Sequence, residues 1–270
     1  MTPRRERLSD AALLDEVRRI ARQAGVEILR HYSSAAPARM KSDSSPVTEA
    51  DEAAERLIVA ALRDLTPEIP IVSEEAAAAG ESPVGGGSSS GSQRFWLVDP
   101  LDGTKEFLTK NGEFTVNVAL IEDGRPVLGV VHVPTLDVTY AGLVPGQATR
   151  QDADGTPRLI AAREHPADGA IVLSSRSHGD SAALDEFLTE ERVLGHRVAG
   201  SALKFCLVAE GVADLYPRLG RTMEWDTAAG HAVVAAAGGT VQTMDGMELR
   251  YGKPGFENPN FVARGRPRKN

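Results

Sequence analysis

Cysteine is almost missing from this chain: Cys206 is the only one in 270 residues, so no internal disulfide can form and a reducing compartment fits. It lies in the run Leu203-Lys204-Phe205-Cys206-Leu207-Val208, where it reads as a core thiol. No apolar run reaches the length of about 18 residues that a membrane span needs. The start, Met1 to Arg7, is basic but leads into an amphipathic pattern instead of a continuous apolar stretch, so no secretory leader is expected. Positive charge is also short. Thirty Lys+Arg against 38 Asp+Glu leave a formal charge of −8, which repels nucleic acid and anionic lipid at long range. An anionic substrate must therefore meet local cations or a metal. Only 6 of the basic residues are Lys, so a lysine inside a motif, such as Lys204, carries more information than an arginine. The basic end, Arg264, Arg266, Arg268 and Lys269, is broken by Gly265 and Pro267 and reads as a solvated tail. No repeat of fixed period is visible.

What the chain does contain is 41% hydrophobic and 25% charged residues, enough for a sizeable core in two packed subdomains or one large α/β unit. Ser9 can cap a helix to about His31, with Leu13, Val17, Ile20, Ala24 and Ile28 on one face. Thr48 opens a second helix that Thr66-Pro67 stops, so two helices are expected before any strand. Ile69 to Val72 is a short strand pattern, and Ala76 to Gln93, rich in Gly and Ser, reads as a flexible surface excursion. Phe95 to Val98 is a buried strand, followed by a short helix ending near Asn111-Gly112. Phe114–Ile121 and Pro126–Val133 form a hairpin pattern, and Val138–Leu143 is a third strand. Beyond these come a strand at Ala170–Leu173, helices at Ala182–Leu188 and Leu203–Glu210, a long helix opened by Asp226 and stopped by Gly238-Gly239, and short strands near Thr240–Gln242 and Phe261-Val262.

The densest chemical signal is Asp99-Pro100-Leu101-Asp102-Gly103-Thr104 at a strand end. A turn at Pro100 can aim both carboxylates and the Leu101 carbonyl at one point, giving hard oxygen ligands suited to Mg²⁺. Gly103 and Thr104 then offer backbone N–H groups to a phosphate at a helix start. The plainer alternative is that Asp99 ends the strand and Asp102 caps the helix. A covalent aspartyl route of the haloacid-dehalogenase type needs its nucleophile and acid on alternate residues, whereas Asp99 and Asp102 are three apart, so that route is disfavoured. Glu74-Glu75 and Asp226 bracket the motif. Carboxylates at the ends of separate elements are what a two-metal site requires, although solvation of the Glu pair and helix capping by Asp226 would also account for them. Asp51, three residues after Thr48, fits a capping box equally well.

Several stretches then fall into one pattern: Pro46-Val47-Thr48-Glu49-Ala50-Asp51, Ser73-Glu74-Glu75, Trp96 to Phe107, and Gly112-Glu113-Phe114-Thr115-Val116-Asn117. The later half adds Ser175-Arg176-Ser177-His178, Gly200 to Cys206, Leu215-Tyr216-Pro217-Arg218 and Trp225 to Gly230. With these motifs the chain resembles the inositol monophosphatase superfamily and, within it, the bacterial 3′(2′),5′-bisphosphate nucleotidases of sulfur assimilation. The resemblance implies an α/β (α+β) fold, a layered αβαβα sandwich. We expect an N-terminal part, 1–145, carrying most metal ligands and a C-terminal part, 146–270, carrying the last ligand and the substrate contacts.

The resemblance further implies two or three Mg²⁺ ions on Glu74, Asp99, the Leu101 carbonyl, Asp102 and Asp226, with Asp51 close by. A metal-activated water would attack phosphorus directly, oriented by Glu74 or Asp51 together with Thr104. Leu101, Asp102, Gly103, Thr104, His178, Ser201 and Asp226 are the expected substrate contacts, and Lys204 and Arg218 are candidate cations for a remote phosphate. The expected reaction removes the 3′-phosphate of adenosine 3′,5′-bisphosphate, giving AMP and phosphate, and is lithium-sensitive. An inositol or fructose-1,6-bisphosphatase-like sugar phosphatase is the alternative within the class, and a non-catalytic metal-dependent nucleotide sensor the alternative outside it. The expected partner is a small nucleotide bisphosphate and not a nucleic acid polymer. Monomer and homodimer both stay open. The expected location is the cytoplasm, with a peripheral place on the cytoplasmic face of the inner membrane as a variant.

Overall fold

The computed structural model describes residues 8–33, 39–40, 46–80, 94–175 and 181–268. The chain opens with helix α1 (Asp10–Tyr32), whose cap Ser9 accepts from Ala12 N at 3.3 Å and whose apolar stripe from Leu13 to Ile28 is buried as expected. Strands β1 (Arg39–Met40) and β2 (Pro46–Val47) then pair antiparallel, which corrects the expectation that two helices precede any strand. Two-residue strands carry no periodicity to read. Helix α2 (Glu49–Leu65) follows, then β3 (Ile71–Ser73), the single turn α3 (Glu74–Ala78), β4 (Arg94–Asp102) and the single turn α4 (Thr104–Leu108). The meander continues through β5 (Thr115–Glu122), β6 (Arg125–Val133), β7 (Val138–Leu143), β8 (Ala148–Asp152) and β9 (Arg158–Ile160). Strands β3 to β9 form one seven-stranded sheet in chain order, parallel between β3 and β4 and antiparallel elsewhere. This first sheet thus runs past residue 145 to Ile160.

The second sheet has five strands in the order β11-β10-β12-β14-β13. It is built from β10 (Ala170–Ser174), helix α5 (Ser181–Leu188), β11 (Val193–Val198), helix α6 (Leu203–Ala209), β12 (Leu215–Arg218), helix α7 (Glu224–Ala236), β13 (Thr240–Thr243) and β14 (Phe261–Arg264). The period-2 alternation of β4 sorts its side chains between two cores. Trp96 and Val98 pack with α1 and α2, whereas Phe95 and Leu97 face the core shared with α6, α7 and the second sheet. A third cluster packs α5 residues Phe187 and Leu188 on the far face of the second sheet, against Val172 and Leu215. The layers are therefore helix, sheet, helix, sheet, helix, the αβαβα sandwich that was expected.

Helix α7 lies directly on β6 and β7 because both strands offer glycine there. A Cβ on Gly129 would stand 2.5 Å from the Ala229 carbonyl, and one on Gly142 would stand 2.6 Å from that of Ala232. The helix thus reaches back from the C-terminal part to seal the first sheet, and its N-terminus is held at a fixed height beside β4. Among the described residues no helix is long and apolar enough to cross a membrane.

Two buried imidazoles set a pH limit on this architecture. His132 on β6 contacts Thr139 Oγ1 at 3.0 Å, and His231 on α7 contacts the Tyr251 hydroxyl at 3.0 Å. Burial lowers each to about 4, against the opposing pull of Asp137 on the first and Glu248 on the second. Their folded values lie below the unfolded one, so the stability they contribute is present above about pH 6.5 and is lost as pH falls toward 4, on the order of 3 kcal/mol each. In chemical denaturation between pH 7.5 and 5, wild type should lose more stability than a His132→Gln/His231→Gln variant. Parallel pH profiles for the two proteins would contradict this.

Candidate active site

Strands β3 and β4 run parallel and deliver their acidic ends to the same edge of the first sheet, the position where α/β sheets bind ligands. On β4 the register with β5 jumps from Asp99↔Asn117 to Asp102↔Thr115, a bulge with Pro100 in its extra length. Proline has no N–H for the ladder, so the strand bulges instead of ending. Asp99 Oδ1 accepts from Leu101 N at 3.0 Å across the bulge, and the Leu101 side chain goes into the α1/α2 core. Asp102 is not the helix cap. That position belongs to Gly103 at φ 95°, where a Cβ would stand 2.2 Å from Ser201 Oγ.

Asp102 Oδ2 accepts from Ala202 N at 2.7 Å, Asn117 Nδ2 at 3.3 Å and Thr115 Oγ1 at 3.4 Å, so its partners come from both parts of the chain. Ser201, itself at positive φ, shares its hydroxyl between the carbonyls of Asp102 and Glu113, 2.8 Å from each. Lys204 is buried, and its Nζ donates to the carbonyls of Ser201 at 2.8 Å and Ala199 at 3.2 Å while lying 5.2 Å above the Tyr216 ring. The expected substrate contacts Ser201 and Lys204 do line the cleft, but these bonds tie them to the turn that holds Asp102.

Asp51 closes the capping box of its helix and also touches Thr104. Its Oδ2 accepts from Thr48 N at 2.9 Å and Thr48 Oγ1 at 2.5 Å, closing the capping box of α2, and its Oδ1 accepts from Thr104 Oγ1 at 3.2 Å. Asp226 likewise caps its own helix by accepting from Met223 N at 2.8 Å. Glu74 opens α3, whose start is held by the Glu55 carboxylate through Ser73 Oγ at 2.6 Å and Glu75 N at 3.2 Å. Glu55 was not singled out from the sequence. Its position on the buried side of α2, a polar break in an apolar stripe, was the available signal.

A cleft of about 240 Å³ collects Glu74, Asp102, Gly103, Thr104, Ser201, Lys204, Arg218 and Asp226 in one wall system, with Lys105, Glu106, Tyr216, Thr222 and Thr227. Asp51 and Asp99 are buried beside it, and Asp51 reaches it through the Thr104 hydroxyl. His178 and residues 81–93 of the Gly/Ser-rich stretch lie outside the described residues. Burial raises Asp102 to about 6, although Lys204 and the Ala202 N–H pull it back. Burial, followed by the charges of Asp102 and Glu74, raises Asp226 well above the usual carboxylate range. Lys204 is lowered by burial to about 8, with Asp102 opposing.

Among the described residues no three acidic, imidazole or thiol groups already converge as a closed cation cage. Asp51, Asp99, Asp102 and Asp226 are each turned toward nearby N–H donors. Desolvation nevertheless raises the proton affinity of both Asp102 and Asp226 in the cleft, and hard carboxylate and carbonyl oxygens are the donor set of Mg²⁺. The residues fit a divalent cation.

A sequence profile described as the inositol monophosphatase family matches residues 11–268. The chain belongs to the inositol monophosphatase family. Within that family it is 48% identical to the 3′(2′),5′-bisphosphate nucleotidase CysQ of Escherichia coli strain K12, over 92% of this chain and 98% of the relative. It is 43% identical to the protein of the same name from Buchnera aphidicola, over 93% of each chain. Among solved structures, CysQ of Bacteroides thetaiotaomicron superposes with a TM-score of 0.77 at 34% identity, covering 96% of this chain and 98% of that one. The IMPase of Thermotoga maritima gives 0.74 at 27% identity, covering 94% and 92%.

At Gly103 the turn leaves no room for a side chain. Gly103→Ala combines a left-handed backbone, costing a residue with a side chain roughly 1–2 kcal/mol, with overlap on Ser201 Oγ. The variant should stay folded by circular dichroism but lose at least about tenfold in phosphatase kcat/KM, because the Asp102 turn must move. Unchanged activity would show that the turn has slack.

Proposed function

We propose that the protein is a Mg²⁺-dependent phosphatase that removes the 3′-phosphate of adenosine 3′,5′-bisphosphate, giving AMP and phosphate. The observation that carries this reading is one cleft in which Glu74, Asp102 and Asp226 meet the cations Lys105, Lys204 and Arg218. The relatives named as bisphosphate nucleotidases, alike along nearly the whole chain, support it. The buried Cys206 suits a cytoplasmic location.

Glu74, Asp99, the Leu101 carbonyl, Asp102 and Asp226 would hold two or three Mg²⁺ ions. When bound, Mg²⁺ supplies charge for the phosphoryl oxygens and makes water acidic enough to attack at neutral pH. The chain itself orients that water. Thr104 Oγ1 donates to Asp51 Oδ1, which leaves its oxygen to accept the proton of the attacking water and pass its own to Asp51. Glu74 is the second acceptor for this step. Asp51, anchored by Thr48, offers Thr104 Oγ1 its nearer acceptor, with the Leu101 carbonyl at 3.4 Å as the other.

Asp102→Asn should cut turnover by at least about a hundredfold with the fold intact, since the amide keeps the shape but loses the charge. Near-wild-type activity at saturating Mg²⁺ would refute the metal assignment around Asp99 and Asp102. A substrate panel of adenosine 3′,5′-bisphosphate, inositol phosphate and fructose bisphosphate decides between the nucleotidase and the sugar or inositol phosphatase readings. Failure to release phosphate from any of them would favour a binding protein.

The two cationic candidates should separate by kinetics. Arg218 ends β12 at the cleft, one nitrogen donating to the Arg221 carbonyl at 3.0 Å, and an arginine there carries the donors for a second phosphate. Arg218→Ala should raise KM for adenosine 3′,5′-bisphosphate far more than for a nucleotide carrying only the 3′-phosphate. Lys204→Ala should instead lower kcat on both substrates, because its ammonium braces the Ser201 turn. Equal KM losses on both substrates for Arg218→Ala would remove it from the remote phosphate.

A further inference from the structure

Residues 251–258, between β13 and β14, are laced to the first turn of α7 by a buried polar network. Glu224, fully buried, accepts from Gly252 N at 2.7 Å and Lys253 N at 2.9 Å and pairs with Lys253 Nζ at 2.7 Å. The same ammonium donates to Asn258 Oδ1 at 3.1 Å. That contact fixes which way the Asn258 amide points, so its Nδ2 donates to the Met223 carbonyl at 2.7 Å and to Thr227 Oγ1 at 3.1 Å. Asn258 N also donates to the Thr222 carbonyl at 2.9 Å. Thr222 and Thr227 both line the cleft. The peptide groups of Met223 thus stand between two side chains: its N–H goes to Asp226 and its carbonyl to Asn258.

The first turn of a helix has N–H groups with no partner inside the helix, and a Ser, Thr, Asn or Asp cap usually holds it. Helix α7 has Met223 at that position and no side-chain cap bond from it. The network from residues 252–258 offers those N–H groups no acceptor; it fixes the same turn through the Thr222 and Met223 carbonyls, to which Asn258 donates, and through the Glu224 carboxylate. We propose that Asn258 is the positioning residue for Asp226, setting the height and rotation of the first turn of α7 so that the Asp226 carboxylate is presented to a divalent cation in the cleft. This rests on the reading of Asp226 as a metal ligand. Residues that orient metal ligands without touching the metal commonly change metal affinity by about 10- to 100-fold when replaced.

The test is Mn²⁺ binding to chelator-treated full-length protein without substrate, followed by electron paramagnetic resonance of the free ion. Thermal melting in excess chelator is measured in parallel. Asn258→Ala should bind Mn²⁺ about tenfold more weakly and need correspondingly more Mg²⁺ for half-maximal turnover, with the nucleotide KM at saturating metal within about twofold of wild type. Lys253→Met, which removes the ammonium from both Glu224 and Asn258, should show the same loss in smaller measure, about threefold or more. Arg18→Ala, which unties α1 from Thr149 on β8, should lower the melting temperature and leave Mn²⁺ affinity unchanged. A folded Asn258→Ala with wild-type Mn²⁺ affinity overturns the proposal. If that variant does not fold, wild-type affinity in Lys253→Met overturns it. Asp226→Asn separates the two levels: if it too binds Mn²⁺ like wild type, the metal role of Asp226 falls and the proposal with it, whereas loss in Asp226→Asn alone leaves the metal reading standing and removes only Asn258.

Discussion

The Asp102 carboxylate is half-buried in the cleft where its strand end meets the turn before α6, and a charge withdrawn from water there is destabilising unless donors meet it. The chain supplies those donors from both sides, Asn117 and Thr115 from the first sheet and the Ala202 N–H from the turn before α6. Much of the surrounding structure follows from that one requirement. Gly103 is left-handed to leave room for Ser201, Ser201 is strained to positive φ to bridge the Asp102 and Glu113 carbonyls, and Lys204 is buried to brace the same turn. These contacts fasten the C-terminal part of the chain to the strand end that bears the acids.

The same demand explains why the acidic residues do not collapse into one another. Glu74, Asp99, Asp102 and Asp226 begin or end different elements. Three of them are steadied by nearby N–H donors, Leu101 N, Ala202 N and Met223 N, while Glu55 steadies the turn that bears Glu74. Desolvation raises the proton affinity of Asp102 and Asp226, and for Asp226 the charges of Asp102 and Glu74 add to it. Such a cluster favours any ligand that brings positive charge, and a divalent cation carrying a phosphate satisfies both the acids and the neighbouring Lys and Arg side chains. The inositol monophosphatase fold, in this reading, is a device for holding anions close together with rigid sheets behind them.

Some elements were plain in the sequence because their residues report on local physics. The α1 stripe from Leu13 to Ile28, the Thr48–Asp51 box and the hairpin around Asp123-Gly124 are set by periods and turn chemistry that need no tertiary context. Strands β8, β9, β11 and β12 were not legible. β8 reads Ala-Thr-Arg-Gln-Asp and β9 is three residues long, so neither shows an apolar face. β11 is an edge strand with most of its side chains exposed, and β12 contains Pro217, tolerated because pairing with β10 stops at Leu215.

The sequence by itself determined the chemistry: oxygen donors at Glu74, Asp99, Asp102 and Asp226, a hydroxyl at Thr104, and cations too few to hold an anion except locally. Residue type decides which atoms can bind a hard cation or take a proton, wherever they end up. Tertiary structure decided which of these groups face the cleft and which serve the scaffold. Ser201 and Lys204 do both, lining the cleft while their hydrogen bonds satisfy backbone carbonyls of the turn beside Asp102. Glu55 and Asn258 look unremarkable in sequence and gain their roles only from the elements packed against them. The bulge at Pro100 joins the two levels, since proline alone predicts a break and only its pairing with β5 turns that break into a bend that continues to Asp102.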